Sequence, residues 1–261
     1  MAAKSDYTWQ KAALICTYAF VALTVIGWLG IANFISPAPA DLTLEETKQW
    51  FSDSYRWQTI LGCTLLYIGS ALLTPGSIQW GLMLAKIEGR SPILSITTAV
   101  CGIFISLIVF LNACAWIVCS YRAQTDPHVI QAFSDWAWFA FLFGWVYLAI
   151  EMISSAIVEL KDKREQPLVP HWMAWITLFS ASTMLGAIGP AFFKSGPFAY
   201  HGLIAFYVPV LVWGAYLVVT NTFLYRALLR EERENMQPII KENADLDERY
   251  LASQTIAKQA G

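Results

Sequence analysis

Glu151 is the residue with the clearest potential for chemistry, because it is an ionisable side chain inside a long apolar stretch, 136–160. It stands nine residues before the end of that stretch, a distance of roughly 13 Å along a helix. A glutamate side chain cannot reach water over that distance, so we expect its carboxyl group to face a bundle interior, water or a partner. Tyr147, Ser155 and Glu159 stand at intervals of four from it and are expected to share its helix face.

The polar face around Glu151 supports two interpretations. In the first, Glu151 is a general acid or base with Tyr147 beside it, as in a proton-transferring membrane enzyme such as an isomerase. In the second, Glu151 is uncharged and hydrogen-bonds across helices, with Tyr147 and Ser155 as partners that pack the bundle or bind a ligand. The residue types alone leave both interpretations open.

A second polar face lies on the apolar stretch 58–85, where hydroxyl groups recur at helical intervals: Thr64, Tyr67, Ser70, Thr74 and Ser77. Three glycines on this stretch repeat every seven residues and allow another helix to approach closely: Gly62, Gly69 and Gly76. Such residues either pack helices together or line a polar cavity. Four candidate ligand-binding residues come from this face and from the next apolar stretch: Tyr67, Ser70, Thr74 and Asn112.

The segment between the last two apolar stretches adds two candidate ligand-binding residues, Lys194 and His201. Gly196 is expected to adopt the left-handed conformation that follows a helix, and Pro197 to stop the helix from continuing. The segment is therefore either a capped turn whose lysine extends toward water, or a polar mouth in which Lys194, Tyr200 and His201 meet a ligand head group.

The composition excludes several classes of protein. Of the 261 residues, 57% are hydrophobic and only 14% are charged, and the mean hydropathy is +0.49, which excludes a disordered chain and a water-soluble globule. A net charge of −2 offers no basic patch, so no nucleic-acid partner is expected. Five cysteines without a metal-binding spacing and three dispersed histidines predict neither a metal site nor a haem or other cofactor.

Six apolar stretches are long enough to cross a membrane as helices: 12–35, 58–85, 93–119, 136–160, 172–193 and 202–226. The sequence therefore predicts an all-α integral membrane protein, with a six-helix domain over 1–226 and a charged tail over 227–261 that is interrupted near Pro238. Short amphipathic helices are predicted in two outer loops, one after a capping box of Thr43 and Glu46 and one beginning at Asp126-Pro127, with Asp135 capping the fourth span.

The positive charges predict the orientation. Thirteen of the seventeen lysines and arginines lie on the side of the predicted spans that holds both chain ends. Because loops rich in lysine and arginine stay in the cytoplasm, both termini are expected to be cytoplasmic.

Two stretches carry a resemblance to known sequences. Ile26-Gly-Trp-Leu-Gly-Ile-Ala precedes a proline-rich turn, and Phe192-Phe-Lys-Ser-Gly-Pro-Phe precedes the last span. Together with Ile87-Glu-Gly-Arg-Ser-Pro, they resemble a family of uncharacterised bacterial six-span membrane proteins. The resemblance implies a bacterial inner membrane and a lipophilic ligand, and it brings no established activity or catalytic residues.

The sequence therefore allows three functions. The leading hypothesis is a non-enzymatic protein that binds or passes a lipophilic small molecule, alone, as a homo-oligomer or as a subunit of a membrane complex. The first alternative is the acid–base enzyme that uses Glu151. The second is a small secondary transporter of two inverted three-helix halves, since Pro75-Gly76 and Gly189-Pro190 interrupt the second and fifth spans at matching positions.

Overall fold

The computed structural model describes residues 2–52, 56–123 and 126–259, with side chains described for residues 7–238 of these ranges. Every regular element in those ranges is a helix. The α-helices are α1 (Ala2–Leu23), α2 (Leu44–Ser52), α3 (Arg56–Glu88), α4 (Ile93–Tyr121), α5 (Pro127–Phe143), α6 (Trp145–Leu160), α7 (His171–Thr183) and α8 (Val208–Gln259). Three further helical segments have other geometries: the π-helices Thr24–Ile31 and Leu203–Tyr207 and the 3-10 helix Met184–Ala191.

The described residues confirm the prediction of an all-α chain and contain six candidate membrane-spanning helices. Six helices are long and apolar enough to cross a membrane: Tyr7–Ile31, Arg56–Glu88, Ile93–Tyr121, Pro127–Leu160, His171–Ala191 and Leu203–Pro238. The first turns of α1 lie beside the part of α8 that follows residue 226, where Lys11 pairs with Glu232 at 2.9 Å. We call that side of the bundle the chain-end face and the other the opposite face.

The fourth span begins earlier than the sequence predicts. Asp126 caps α5, accepting a hydrogen bond from the backbone N–H of His128 at 2.9 Å, and Pro127 occupies the first turn. The helix then runs without interruption to Phe143. The predicted separate short helix and the cap at Asp135 are therefore wrong, because one cap suffices for an uninterrupted apolar helix.

The capping box of α2 is confirmed. The Glu46 carboxylate accepts a hydrogen bond from the backbone N–H of Thr43 at 2.8 Å, and the Thr43 hydroxyl accepts one from the N–H of Glu46 at 3.3 Å. The hydrogen bonds from the Thr43 backbone and hydroxyl lower the pKa of Glu46. The side chain of Phe51 at the other end of α2 is buried. The cap and this apolar contact hold α2 against the bundle.

The second span stays continuous through Pro75, so the predicted opening at Pro75-Gly76 is absent from α3. Gly76 instead accommodates the side chain of Thr17 on α1. The fifth span does change geometry, to a 3-10 helix over Met184–Ala191. Only one of the two interruptions expected for inverted halves is therefore found.

The last helix continues far beyond the bundle. α8 runs through Pro238 without the predicted break. Its first turns beyond residue 226 pack on the chain-end face, where Glu232 pairs with Lys11 at 2.9 Å and Glu231 pairs with Lys86 at 2.6 Å. Residue 227 thus marks no change in the helix, although the charged tail begins there.

Candidate functional site

Glu151 lies in the centre of the bundle with 4% of its surface exposed. Its carboxyl group borders a cavity of about 20 Å³, enough for about one water molecule. Residues of α1, α3, α6 and α8 line this cavity: Thr17, Leu73, Gly76, Ser77, Trp80, Glu151, Leu217, Thr220, Asn221 and Leu224. We call it the Glu151 cavity.

Four of the residues around Glu151 contribute an oxygen atom from a hydroxyl or amide group: Thr17, Ser77, Thr220 and Asn221. The amide nitrogen of Asn221 donates to the backbone carbonyl of Leu14 at 3.0 Å, which leaves its oxygen as an acceptor. The Thr220 hydroxyl is buried and has no hydrogen-bond partner in the described part of the chain. Unpaired buried polar groups are costly, so the Thr220 hydroxyl is available to a ligand or a water molecule in this cavity.

Two glycines allow the helices to close around this cavity. A Cβ atom at Gly76 would overlap the hydroxyl oxygen of Thr17. A Cβ atom at Gly102 on α4 would collide with Ser77 and lie 3.3 Å from a carboxyl oxygen of Glu151. The backbone of α4 thus packs closely against the Glu151 carboxyl group.

A second polar contact lies one helical turn further along α6. The Ser155 hydroxyl is 3.3 Å from the Tyr216 hydroxyl, and both side chains are buried. Tyr216 interacts electrostatically with both Glu151 and Glu159, so its hydroxyl lies near the two buried carboxyl groups. The polar face predicted around Glu151 therefore points into the bundle at three positions of α6: Glu151, Ser155 and Glu159.

Tyr216 also connects this interior to the outer surface of the bundle. It lines a groove of about 280 Å³ between α7 and α8. Mostly apolar residues line the groove: Trp172, Met173, Ile176, Thr177, Ser180, Val212, Ala215, Tyr216 and Val219. We call it the α7–α8 groove.

Tyr147 is placed away from this interior. It is 40% exposed and stacks on Phe104, with ring centroids 5.1 Å apart. Its hydroxyl makes no hydrogen bond to Glu151 within the described residues. The predicted pairing of Tyr147 with Glu151 is therefore wrong: a spacing of four drifts by about 40° per step, which carries Tyr147 to the outside.

The candidates on the second span mainly pack helices. The Thr74 hydroxyl is 3.1 Å from the hydroxyl of Ser106 on α4, and Ser106 also donates to the backbone carbonyl of Ser70. Tyr67 is 39% exposed and contacts Phe110. Tyr67, Ser70 and Thr74 are not among the residues that line the Glu151 cavity, which this face reaches only at Ser77.

Asn112 lies elsewhere in the interior. It is fully buried, and neither its amide nitrogen nor its oxygen has a hydrogen-bond partner among the described residues. It stands ten residues from Gly102, so about 15 Å of helix separates it from the Glu151 cavity.

Lys194 and His201 lie at the opposite face. Gly196 has φ +79°, which confirms the left-handed turn after the fifth span. Lys194 is exposed and interacts electrostatically with Asp135. His201 accepts a hydrogen bond on Nδ1 from the backbone N–H of Ala40 at 3.0 Å, and Tyr200 donates to the carbonyl of Pro39 at 3.1 Å. These contacts fasten two loops together.

The hydrogen bonds of Tyr200 and His201 to the loop at Pro39 and Ala40 bear on whether these side chains can bind a ligand head group. Burial raises the pKa of the Tyr200 hydroxyl, as do the nearby carboxylates of Asp135 and Asp41. With the Tyr200 hydroxyl and the His201 Nδ1 atom both engaged within the protein, the capped-turn interpretation of this segment receives the greater support.

Sequence reasoning missed Thr17, Tyr216, Thr220 and Asn221 as site residues. The available signal was the adjacent polar pair Thr220-Asn221 within the apolar stretch 202–226, with Tyr216 four residues before Thr220. Nothing in the sequence, however, indicates that the first and sixth spans meet the fourth.

In the described part of the chain, no three His, Cys, Asp or Glu side chains are grouped so as to hold a metal ion. No protein-family model, curated protein or solved structure matches this chain significantly.

Proposed function

We propose that this protein is a multi-pass protein of a bacterial inner membrane that binds a lipophilic molecule in the α7–α8 groove. The observation that supports this most directly is the position of Tyr216. The groove has an apolar lining suited to a hydrocarbon, and the Tyr216 hydroxyl at its inner side pairs with Ser155. Apolar walls with a few fixed polar groups are typical of small-molecule sites.

The polar groups near the groove favour an uncharged ligand end. Glu151 and Glu159 are both buried and lie near Tyr216. A carboxylate or phosphate brought to Tyr216 would approach two buried carboxyl groups, and the residues lining the groove include no lysine, arginine or histidine to balance its charge. A hydroxyl or carbonyl group can instead form a hydrogen bond with the Tyr216 hydroxyl. We therefore propose a long-chain or ring-based molecule with a hydroxyl or carbonyl end.

The geometry gives less support to the acid–base enzyme. Its mechanism needs a substrate atom within hydrogen-bond reach of Glu151. The Glu151 cavity has room for about one water molecule. Tyr147, the proposed second catalytic group, lies on the outside of the bundle.

Replacing Ala215 by tryptophan is expected to block the groove. The probe is a long-chain alcohol that carries a photoactivatable diazirine, applied to the protein in lipid nanodiscs. In the parent protein we expect saturable labelling of groove residues such as Ile176, Val212 and Val219, because the chain lies between α7 and α8. In Ala215→Trp, labelling there should fall about tenfold.

The matched control is Leu107→Trp, which adds the same ring at an exposed position on α4, and it should label like the parent. An excess of the unlabelled alcohol should compete, and the corresponding fatty acid should compete less. Labelling that is spread evenly over all surface-exposed helix faces, or is unchanged in Ala215→Trp, would contradict the proposal.

We also propose that the chain-end face lies in the cytoplasm, because most lysines and arginines of the sequence are on that side of the predicted spans. A reporter that is active only in the cytoplasm, fused after Gly261, should be active, whereas a periplasmic reporter should be silent. The reverse pattern would refute this orientation.

A further inference from the structure

We propose that the Glu151 cavity binds one small monovalent cation, Na⁺, through the Glu151 carboxylate and oxygens of Thr17, Ser77, Thr220 and Asn221. This site is separate from the α7–α8 groove and does not depend on the function proposed above.

The polar atoms that the side chains bring to the cavity suit a hard cation. Ser77 donates its proton to the carbonyl of Leu73 at 3.1 Å, and its oxygen lone pairs stay available. Asn221 is held by Leu14 so that its amide oxygen is free. Together with Thr17, Thr220 and the carboxylate, this gives at least five oxygen atoms. Carboxylate and other oxygen ligands suit hard cations.

The buried hydroxyl of Thr220 is the independent sign of a ligand. It is 2% exposed, lines the cavity and has no hydrogen-bond partner in the described ranges. Because no group within the described ranges donates to this hydroxyl, both of its oxygen lone pairs are free to coordinate an ion.

The charge of the site selects a monovalent ion. Glu151 is in no ion pair within the described residues, where the three ion pairs found all involve other side chains. An isolated carboxylate is unfavourable in an apolar interior, and one positive charge neutralises it. A divalent ion would leave an excess charge, because only one carboxylate lines the cavity.

The close packing of the helices around the cavity favours Na⁺, the smaller ion, over K⁺. Its volume of about 20 Å³ accommodates about one water-sized particle. The backbones at Gly76 and Gly102 bring α3 and α4 close to the site and limit its expansion. K⁺ needs longer distances to its oxygen ligands than Na⁺ does, and the close approach of α3 and α4 opposes them.

The test measures Na⁺ binding to the purified full chain in nanodiscs. Radioactive sodium should bind and be displaced by unlabelled NaCl, but not by the same concentration of KCl or choline chloride. The melting temperature should rise by about 4 °C or more when NaCl replaces choline chloride at constant ionic strength. Both effects should be lost in Glu151→Gln, and Thr220→Val should weaken Na⁺ binding about tenfold.

Two controls make the result specific. Thr97→Val removes an exposed hydroxyl on α4 and should keep both effects. Ala215→Trp, which blocks the groove, should also keep them, so the two proposals fail separately. If Glu151→Gln does not fold, Thr220→Val carries the test. Equal effects of Na⁺, K⁺ and choline would overturn the proposal in favour of a proton or a water molecule at Glu151. Na⁺ binding at full strength in Thr220→Val would overturn it by showing that the ion binds away from this cavity.

Discussion

Replacing Gly62 by alanine is expected to destabilise the protein by about 3 kcal/mol, enough to reduce the yield of folded protein sharply. A Cβ atom at Gly62 would overlap the carbonyl oxygen of Gly27 and lie only 2.7 Å from the backbone nitrogen of Ala32. Backbone atoms cannot move aside as side chains do. The first two spans must therefore move apart in the variant. Thermal unfolding in detergent should show this as a lower melting temperature.

Two other glycines provide a graded comparison. A Cβ atom at Gly69 would lie 3.2 Å from the Leu23 side chain, so Gly69→Ala should cost less. At Gly214, on α8, nothing lies within 4 Å, so Gly214→Ala should not destabilise the protein. Equal effects of the three substitutions would contradict the packing described for the first and second spans.

Replacing Asp162 by asparagine is expected to cost about 2–3 kcal/mol, because it breaks the hydrogen bonds that hold the loop after α6. One carboxylate oxygen accepts hydrogen bonds from the side chain of Arg164 at 2.6 Å and the backbone N–H of Leu168 at 2.7 Å. Asp162 is 2% exposed, and Leu168 and Val169 beside it are buried. An amide group in its place brings a donor toward these donors and removes the charge.

The same carboxylate makes the stability depend on pH. Burial acts to raise the pKa of Asp162, but hydrogen bonds from Arg164 and from the backbone of Leu168 outweigh it and keep the pKa below its usual value. Since the pKa in the unfolded chain is about 3.9, Asp162 stabilises the fold above about pH 4, and this contribution is lost as the pH falls through the folded pKa.

Thermal unfolding at several pH values checks both statements about Asp162. The difference in melting temperature between the parent and Asp162→Asn should be largest at pH 7 and should become smaller as the pH falls below about 4. Glu165→Gln is the matched control, because Glu165 is exposed in the same loop and forms no hydrogen bond or ion pair with the described residues. A difference that stays constant from pH 7 to acid would show that the charge of Asp162 is not its cause.

The elements that depend on local sequence were predictable. Six spans follow from the length of the apolar stretches, since a helix must satisfy its own backbone in a membrane. The capping box of Thr43 and Glu46 and the left-handed Gly196 follow from neighbouring residues alone. The prediction that Asp135 begins a helix was wrong. Aspartate favours helix starts, but this one lies inside α5.

The candidate site was predictable only in part. The depth of an ionisable residue within an apolar stretch identified Glu151, and helical periodicity identified Ser155. Which helices surround Glu151 depends on tertiary packing, which intervals along one chain do not encode. Thr17 on the first span and Thr220 and Asn221 on the sixth were missed for this reason.

The most direct test of the proposed function is a density map of the protein in nanodiscs that contain native membrane lipids. We expect elongated density between α7 and α8 whose inner end lies within hydrogen-bond distance of the Tyr216 hydroxyl, and we expect it to be lost in Ala215→Trp. A groove that is empty, or is filled only by phospholipid chains that stop short of Tyr216 in both proteins, would contradict the account.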